Sequence, residues 1–184
     1  MRLPLTALAL ALSLAACAST GGGMLAAGAP RALPDAGPVQ VAWADPATFT
    51  ELRQSRNAWE AARGTWLTDL ARYLRTRAEA RLPAGKQLQV TILDIDRAGE
   101  YEPWRRFGMQ DVRILRDIYP PRMTLRFQRL DADGRVLAEG ERTLSDPAFL
   151  LGSSPMRESD PLRYEKRMID GWVRREFRED VAGR

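Results

Sequence analysis

The chain has 184 residues, 45% of them hydrophobic, with five tryptophans and 28 basic against 24 acidic side chains. That is one domain's length with enough apolar surface for a packed core, which excludes general disorder. Histidine is absent, and with it go imidazole-based zinc or iron sites and every Ser-His or Cys-His nucleophile pair.

Residues 1–16 read as a signal sequence, with Arg2 followed by an apolar stretch from Leu3 to Ala16. The stretch is too short to remain as a membrane-spanning anchor. The only cysteine, Cys17, follows directly, and Leu14-Ala15-Ala16-Cys17 resembles the lipobox of bacterial lipoproteins. The resemblance implies diacylglyceryl transfer to the thiol, cleavage before Cys17 and acylation of the new amine. Ala18 in place of aspartate implies the outer membrane, facing the periplasm. The alternative is a soluble periplasmic or secreted protein, because Ala16-Cys17-Ala18 also fits a small-x-small cleavage site. Two or three acyl chains hold firmly, at about 0.8 kcal/mol per buried CH₂. A lipidated Cys17 leaves no thiol for a disulfide, so the fold must stand on packing.

Residues 17–37, rich in Ala, Gly and Pro, read as a flexible linker after the lipidated cysteine. About twenty such residues span about 25 Å on average. Residues 38–184 form the single folded domain. Within it, Val39, Val41 and Trp43 alternate as a first strand that Asp45-Pro46 stops. From about Asn57 to Arg81, Trp59, Ala62, Trp66, Leu70, Tyr73, Leu74 and Ala78 recur at three and four, which predicts one long amphipathic helix ended by the sequence LPAG.

The segment KQLQVTILDID is a second strand. Its apolar face passes from even positions (Leu88, Val90, Ile92) to odd ones (Leu93, Ile95), so either it is buried on both sides or a bulge near Ile92 shifts its register. After a loop at 97–110, Val112 and Ile114 alternate, Tyr119-Pro120-Pro121 breaks the pattern, and Met123, Leu125 and Phe127 resume it. The sequence DADG at 131–134 is a hairpin turn returning into RVLAEGERTL. A last helix starts with Asp160 as N-cap and Pro161 at its first position, and buries Leu162, Ile169, Trp172, Val173 and Phe177. The predicted class is α+β, an antiparallel sheet of about four to five strands with two helices on one face.

The stretches VAWADPATFTE, LPAGKQLQVTILDIDRAG, DVRILRDIYPPRMTLRFQRLDADGRVLAEGERTLSD and SDPLRYEKRMIDGW resemble the bacterial family called domain of unknown function 3016. The paired DIDRAG and YPPR segments carry most of the likeness. The resemblance implies a small exported protein without an assigned activity, so no catalytic residue carries over.

Three functional readings follow. The first is a non-catalytic envelope lipoprotein that binds or scaffolds another envelope component, attached to the membrane by its lipid, with no cofactor and no nucleic-acid partner. The second is a binder of an anionic envelope polymer or lipid, because Lys86 and Lys166 are the only lysines and arginine forks suit phosphate and carboxylate. The high alanine content favours a composition bias as the source of that arginine. The third is a carboxylate- or metal-dependent hydrolase centred on Asp94, Asp96, Glu100 and Asp111. Asp-x-Asp on a strand puts two carboxylates on one face about 7 Å apart, a fit for a hard cation, but the following residues are not a calcium loop. DIDRAGE is therefore expected to be structural, with no metal ligands. Asp94 and Asp96 are expected to accept from loop amides or pair with Arg97, Arg105 or Arg113.

Overall fold

The computed structural model describes residues 23–104, 108–151 and 159–178. The signal sequence, Cys17 and Arg105 lie outside the described residues. Four strands form the main sheet in the order β1 (Val39–Trp43), β2 (Gln87–Asp96), β5 (Arg122–Leu130) and β6 (Val136–Ser145), and β3 (Glu100–Tyr101) pairs with β4 (Arg113–Ile114) in a small ribbon. Two long helices, α3 (Trp66–Glu79) and α4 (Arg163–Glu176), and two single-turn helices, α1 (Thr50–Arg53) and α2 (Ala58–Ala61), complete the fold.

The protein is α+β, but its sheet is mixed. β1 runs parallel to β2, while β2–β5 and β5–β6 are antiparallel. Alternation of side chains reports a strand's face and not its direction. Direction here is set by the crossover through α3, which returns the chain to the starting end of the sheet. Val39, Val41, Leu88, Val90, Ile92, Met123, Leu125 and Phe127 are buried in one core with Leu70 and Leu74 of α3 and Ile169, Trp172 and Val173 of α4. The Phe127 and Trp172 rings meet edge-on at 6.1 Å. The opposite face of the sheet is polar. Gln40, Gln89, Gln128 and Glu139 stand in one register across its four strands, and Gln128 donates to Glu139 at 2.8 Å.

The face switch in β2 is a bulge: pairing with β5 slips between Ile92 and Asp94, so that Ile92 and Ile95 both reach the core. The expected long helix at 57–81 is instead two. The chain breaks between α2 and α3 at Gly64, which adopts φ +81°, a conformation that ends helices. The break turns Trp59 out to 69% exposure, over Arg63 at 4.7 Å. Trp66 begins α3 and donates its indole N–H to Ala61 O at 2.9 Å. α4 starts two residues later than Pro161, so Leu162 takes the N-cap position, without a side-chain cap; Asp160 instead accepts from Leu162 N at 2.9 Å and Lys166 Nζ at 2.7 Å in the turn before the helix.

The segment expected as linker is partly folded. Leu33 N donates to Val41 O and Trp43 N to Arg31 O, which lays 31–33 antiparallel along the edge of β1 with Leu33 buried in the core. An edge strand with a free ladder is a ready template for such pairing.

Because β1 and β2 point one way and both long helices return the other way, the sandwich has two distinct ends. Lys166 lies over the Tyr73 ring and Asp170 accepts from both Tyr73 and Arg77, so α3 and α4 run side by side in the same direction. One end holds the ends of β1 and β2 with the starts of α3 and α4. The other gathers the helix C-termini and the 131–135 turn.

Candidate functional site

At the first end, the exit of β2 meets α1 and the 97–121 segment around a cleft of ≈ 250 Å³. Asp96, Arg97 and Gly99 of DIDRAG line it, as do Tyr119, Pro120 and Arg122 of YPPR. The two segments that carry the family likeness therefore converge on one place. Gly99 has φ +82°, and a Cβ there would stand 2.7 Å from Ile114 O, so the turn from β2 into β3, packed against β4, admits only glycine.

The floor is a buried ion network. Glu51, only 3% exposed on α1, accepts from Arg97 N at 2.9 Å, from Arg97 Nη2 at 2.8 Å and from Arg113 Nη2. Arg113 Nη1 reaches across to Gly99 O at 2.8 Å and Ala98 O at 3.3 Å. Each guanidinium also lies on an aromatic face, Arg97 at 4.6 Å from the Trp66 ring centre and Arg113 at 4.8 Å from that of Tyr101, where a weakly hydrated cation is well placed. Beside this pair, Glu165 of α4 accepts from Ala98 N at 2.7 Å, and burial raises its pKa above the usual carboxylate range. Buried Glu102 accepts from Arg116 and from the Tyr119 hydroxyl, both at 3.1 Å.

Of the four carboxylates singled out from the sequence, three meet here. Asp94 accepts from Thr50 N at 2.6 Å and Thr50 Oγ1 at 2.7 Å. It supplies from a distance the cap that α1 lacks locally, since Phe49 precedes the helix. Glu100 accepts from Tyr101 N and Ser55 Oγ, with Arg56 at 3.9 Å. Asp96 lines the cleft opposite Arg122, and its carboxylate makes no hydrogen bond among the described residues. Burial, reinforced by Glu51, Asp94 and Glu100 and opposed by Arg122, pushes its pKa up to about 6. Asp111 is elsewhere, held by Asn57 Nδ2 at 2.9 Å. Arg97 and Arg113 serve Glu51 and not the two aspartates. Among the described residues no group of three or more Asp, Glu, Cys or His is placed to hold a metal ion.

Glu51 and Glu165 were not legible as site residues. Glu165 left a trace: it falls three after Leu162 and four before Ile169, within the apolar stripe of α4, where an acid must find a buried donor.

The rim is of a different character. Ile118 borders the cleft and is 64% exposed, and Trp104, 62% exposed, stacks on Arg56 at 4.8 Å. A polar floor of paired charges, an exposed Trp–Arg pair and an aliphatic rim belong to a small α+β domain with an open cleft at one sheet end. The chain belongs to the family described as "Protein of unknown function (DUF3016)", whose model matches residues 37–175. No curated protein and no solved structure matches it.

Proposed function

We propose that this is a non-catalytic lipoprotein of the outer membrane, tethered through Cys17, whose cleft between DIDRAG and YPPR binds another protein of the envelope. The observation that carries this reading is the division of labour in the cleft. The hydroxyls of Thr50, Ser55 and Tyr119 and the cations Arg97 and Arg113 are engaged with neighbouring carboxylates. Asp96 and Arg122 remain available on the wall. Such a site orients a partner by charge, and the exposed Trp104, Arg56 and Ile118 offer the residue types that anchor protein interfaces.

The tether suits this arrangement. Met24 packs with Leu52 and Tyr101 at the cleft end, and the six Cα–Cα steps from Cys17 to Gly23 reach at most about 20 Å. The cleft then operates close to the membrane. Two experiments separate the parts of the proposal. Labelled palmitate is expected in the wild type and absent in Cys17→Ser; a soluble product that begins beyond Cys17 would refute the tether. A photo-crosslinking residue at Ile118 is expected to capture a defined partner in intact envelopes, whereas one at Gln128 on the open sheet face is not. Equal capture at both, or none at Ile118, would refute the cleft as the interface.

A further inference from the structure

At the opposite end of the sandwich lies a second feature, with the reverse electrostatic character. Arg81, just beyond α3, and Arg174, Arg175 and Arg178 at the end of α4 line a shallow depression of ≈ 480 Å³ floored by Gly171. Arg175 Nη1 and Arg174 Nη2 lie 3.3 and 4.0 Å from the point where a Cβ on Gly171 would stand. The missing side chain thus lets two guanidinium groups gather over bare helix backbone. Among the described residues, none of these four guanidinium groups forms an ion pair or a hydrogen bond. The nearest acids on α4 are already taken, Asp170 by Arg77 and Tyr73 and Glu176 by Arg142.

Helix electrostatics account for part of this. Cations at a helix C-terminus are favourable, and each end carries the equivalent of about −0.5 charge. Two parallel helices ending together therefore offset about one of the four positive charges. No described carboxylate pairs with the remainder, and concentrating it costs energy that a ligand would recover.

We propose that this depression binds a ligand carrying two or more linked phosphate groups. Planar guanidinium forks grip phosphate oxygens in pairs, and an oligophosphate concentrates enough negative charge in so small a volume to match four arginines. The ligand has two conceivable sources, a phosphorylated soluble or polymeric molecule and a phospholipid headgroup. Resting on the Cys17 tether, the geometry favours the first. The anchor joins at the cleft end, and the ten residues of β2 separate the ends by about 33 Å at ~3.3 Å per residue, so the depression faces away from the anchoring bilayer.

The test uses the purified full chain, inorganic tripolyphosphate as probe, and titration calorimetry at about 20 and about 150 mM salt. Saturable binding is expected at low salt, weakening about tenfold or more at the higher value because exposed charges are screened over about 10 Å. The R174Q/R175Q double variant is expected to bind at least about tenfold more weakly with its melting temperature unchanged, and R174K/R175K to fall between. No saturable binding at low salt, or undiminished affinity in R174Q/R175Q, would overturn the proposal. Flotation with phosphatidylcholine vesicles containing phosphatidylglycerol distinguishes the sources: association insensitive to R174Q/R175Q is expected. Association lost in that variant would assign the phosphate to lipid and overturn the outward orientation, while palmitate labelling independently reports on the tether itself.

Discussion

The two ends of the sandwich use the same side chain for opposite purposes. At the cleft end Arg97 and Arg113 are mostly buried, stacked on Trp66 and Tyr101, and bound to Glu51. At the other end Arg81, Arg174, Arg175 and Arg178 border open solvent without carboxylate partners among the described residues. Arginine in this chain is thus neither uniformly structural nor uniformly for binding. What divides the two roles is whether a buried acid faces the guanidinium. Where one does, both partners depend on each other, because removing either leaves a charge stranded in a poorly solvated place.

The sharpest way to break that contrast is Glu51→Gln. It leaves Arg97 and Arg113 buried with a weakened acceptor, and a loss of about 3 to 5 kcal/mol is expected in urea unfolding. A loss below about 1 kcal/mol, within the range of exposed pairs, would mean the network is ornamental. Asp94→Ala removes the remote cap on Thr50 and should cost about 1 kcal/mol, read by the same measurement and unchanged by added divalent cations. At the basic end Gly171→Ala is expected to stabilise by up to about 1 kcal/mol, since only the flexible tips of Arg174 and Arg175 approach its Cβ. Destabilisation would show that the guanidinium groups are rigidly held there.

The cleft wall also predicts a pH dependence. Asp96 holds its proton to about pH 6 in the folded chain, against about 3.9 when unfolded. The folded state then binds more protons across that window, so this group's contribution falls as pH rises from about 4 to about 6. Asp96→Asn removes the repulsion from Glu51, Asp94 and Glu100, and should flatten that slope and slightly raise the melting temperature at pH 7. An unchanged slope would place Asp96 in water and out of the cleft wall.

Much of the fold was readable from residue spacing. The strands, the 131–134 turn and the buried stripe of α4 follow from periods of two and of three to four, and the change of face at Ile92 gave away the bulge. The parallel β1 did not follow, because alternation is blind to direction. Nor did the break at Gly64, because apolar residues on both sides kept the helical spacing and hid Trp59 among them. The site was legible only in outline. DIDRAG and YPPR mark its walls, but the floor joins Glu51 to Arg97 across 46 residues and Glu165 to Ala98 across 67. A charged residue's sequence neighbourhood carries no sign of a partner so remote. The arginines around Gly171 were visible as composition and became a site only once α3 and α4 were known to end together.

The division between the two ends is tested most directly by placing the same substitution in each, Arg113→Gln and Arg175→Gln, and comparing urea unfolding of the full chain under one set of conditions. Arg113→Gln is expected to lose about 3 to 5 kcal/mol, as a broken buried pair does, and Arg175→Gln to stay within about 0.5 kcal/mol of wild type, as surface changes do. Equal losses, or the larger loss at Arg175, would contradict the assignment of structure to the cleft arginines and of binding to the others.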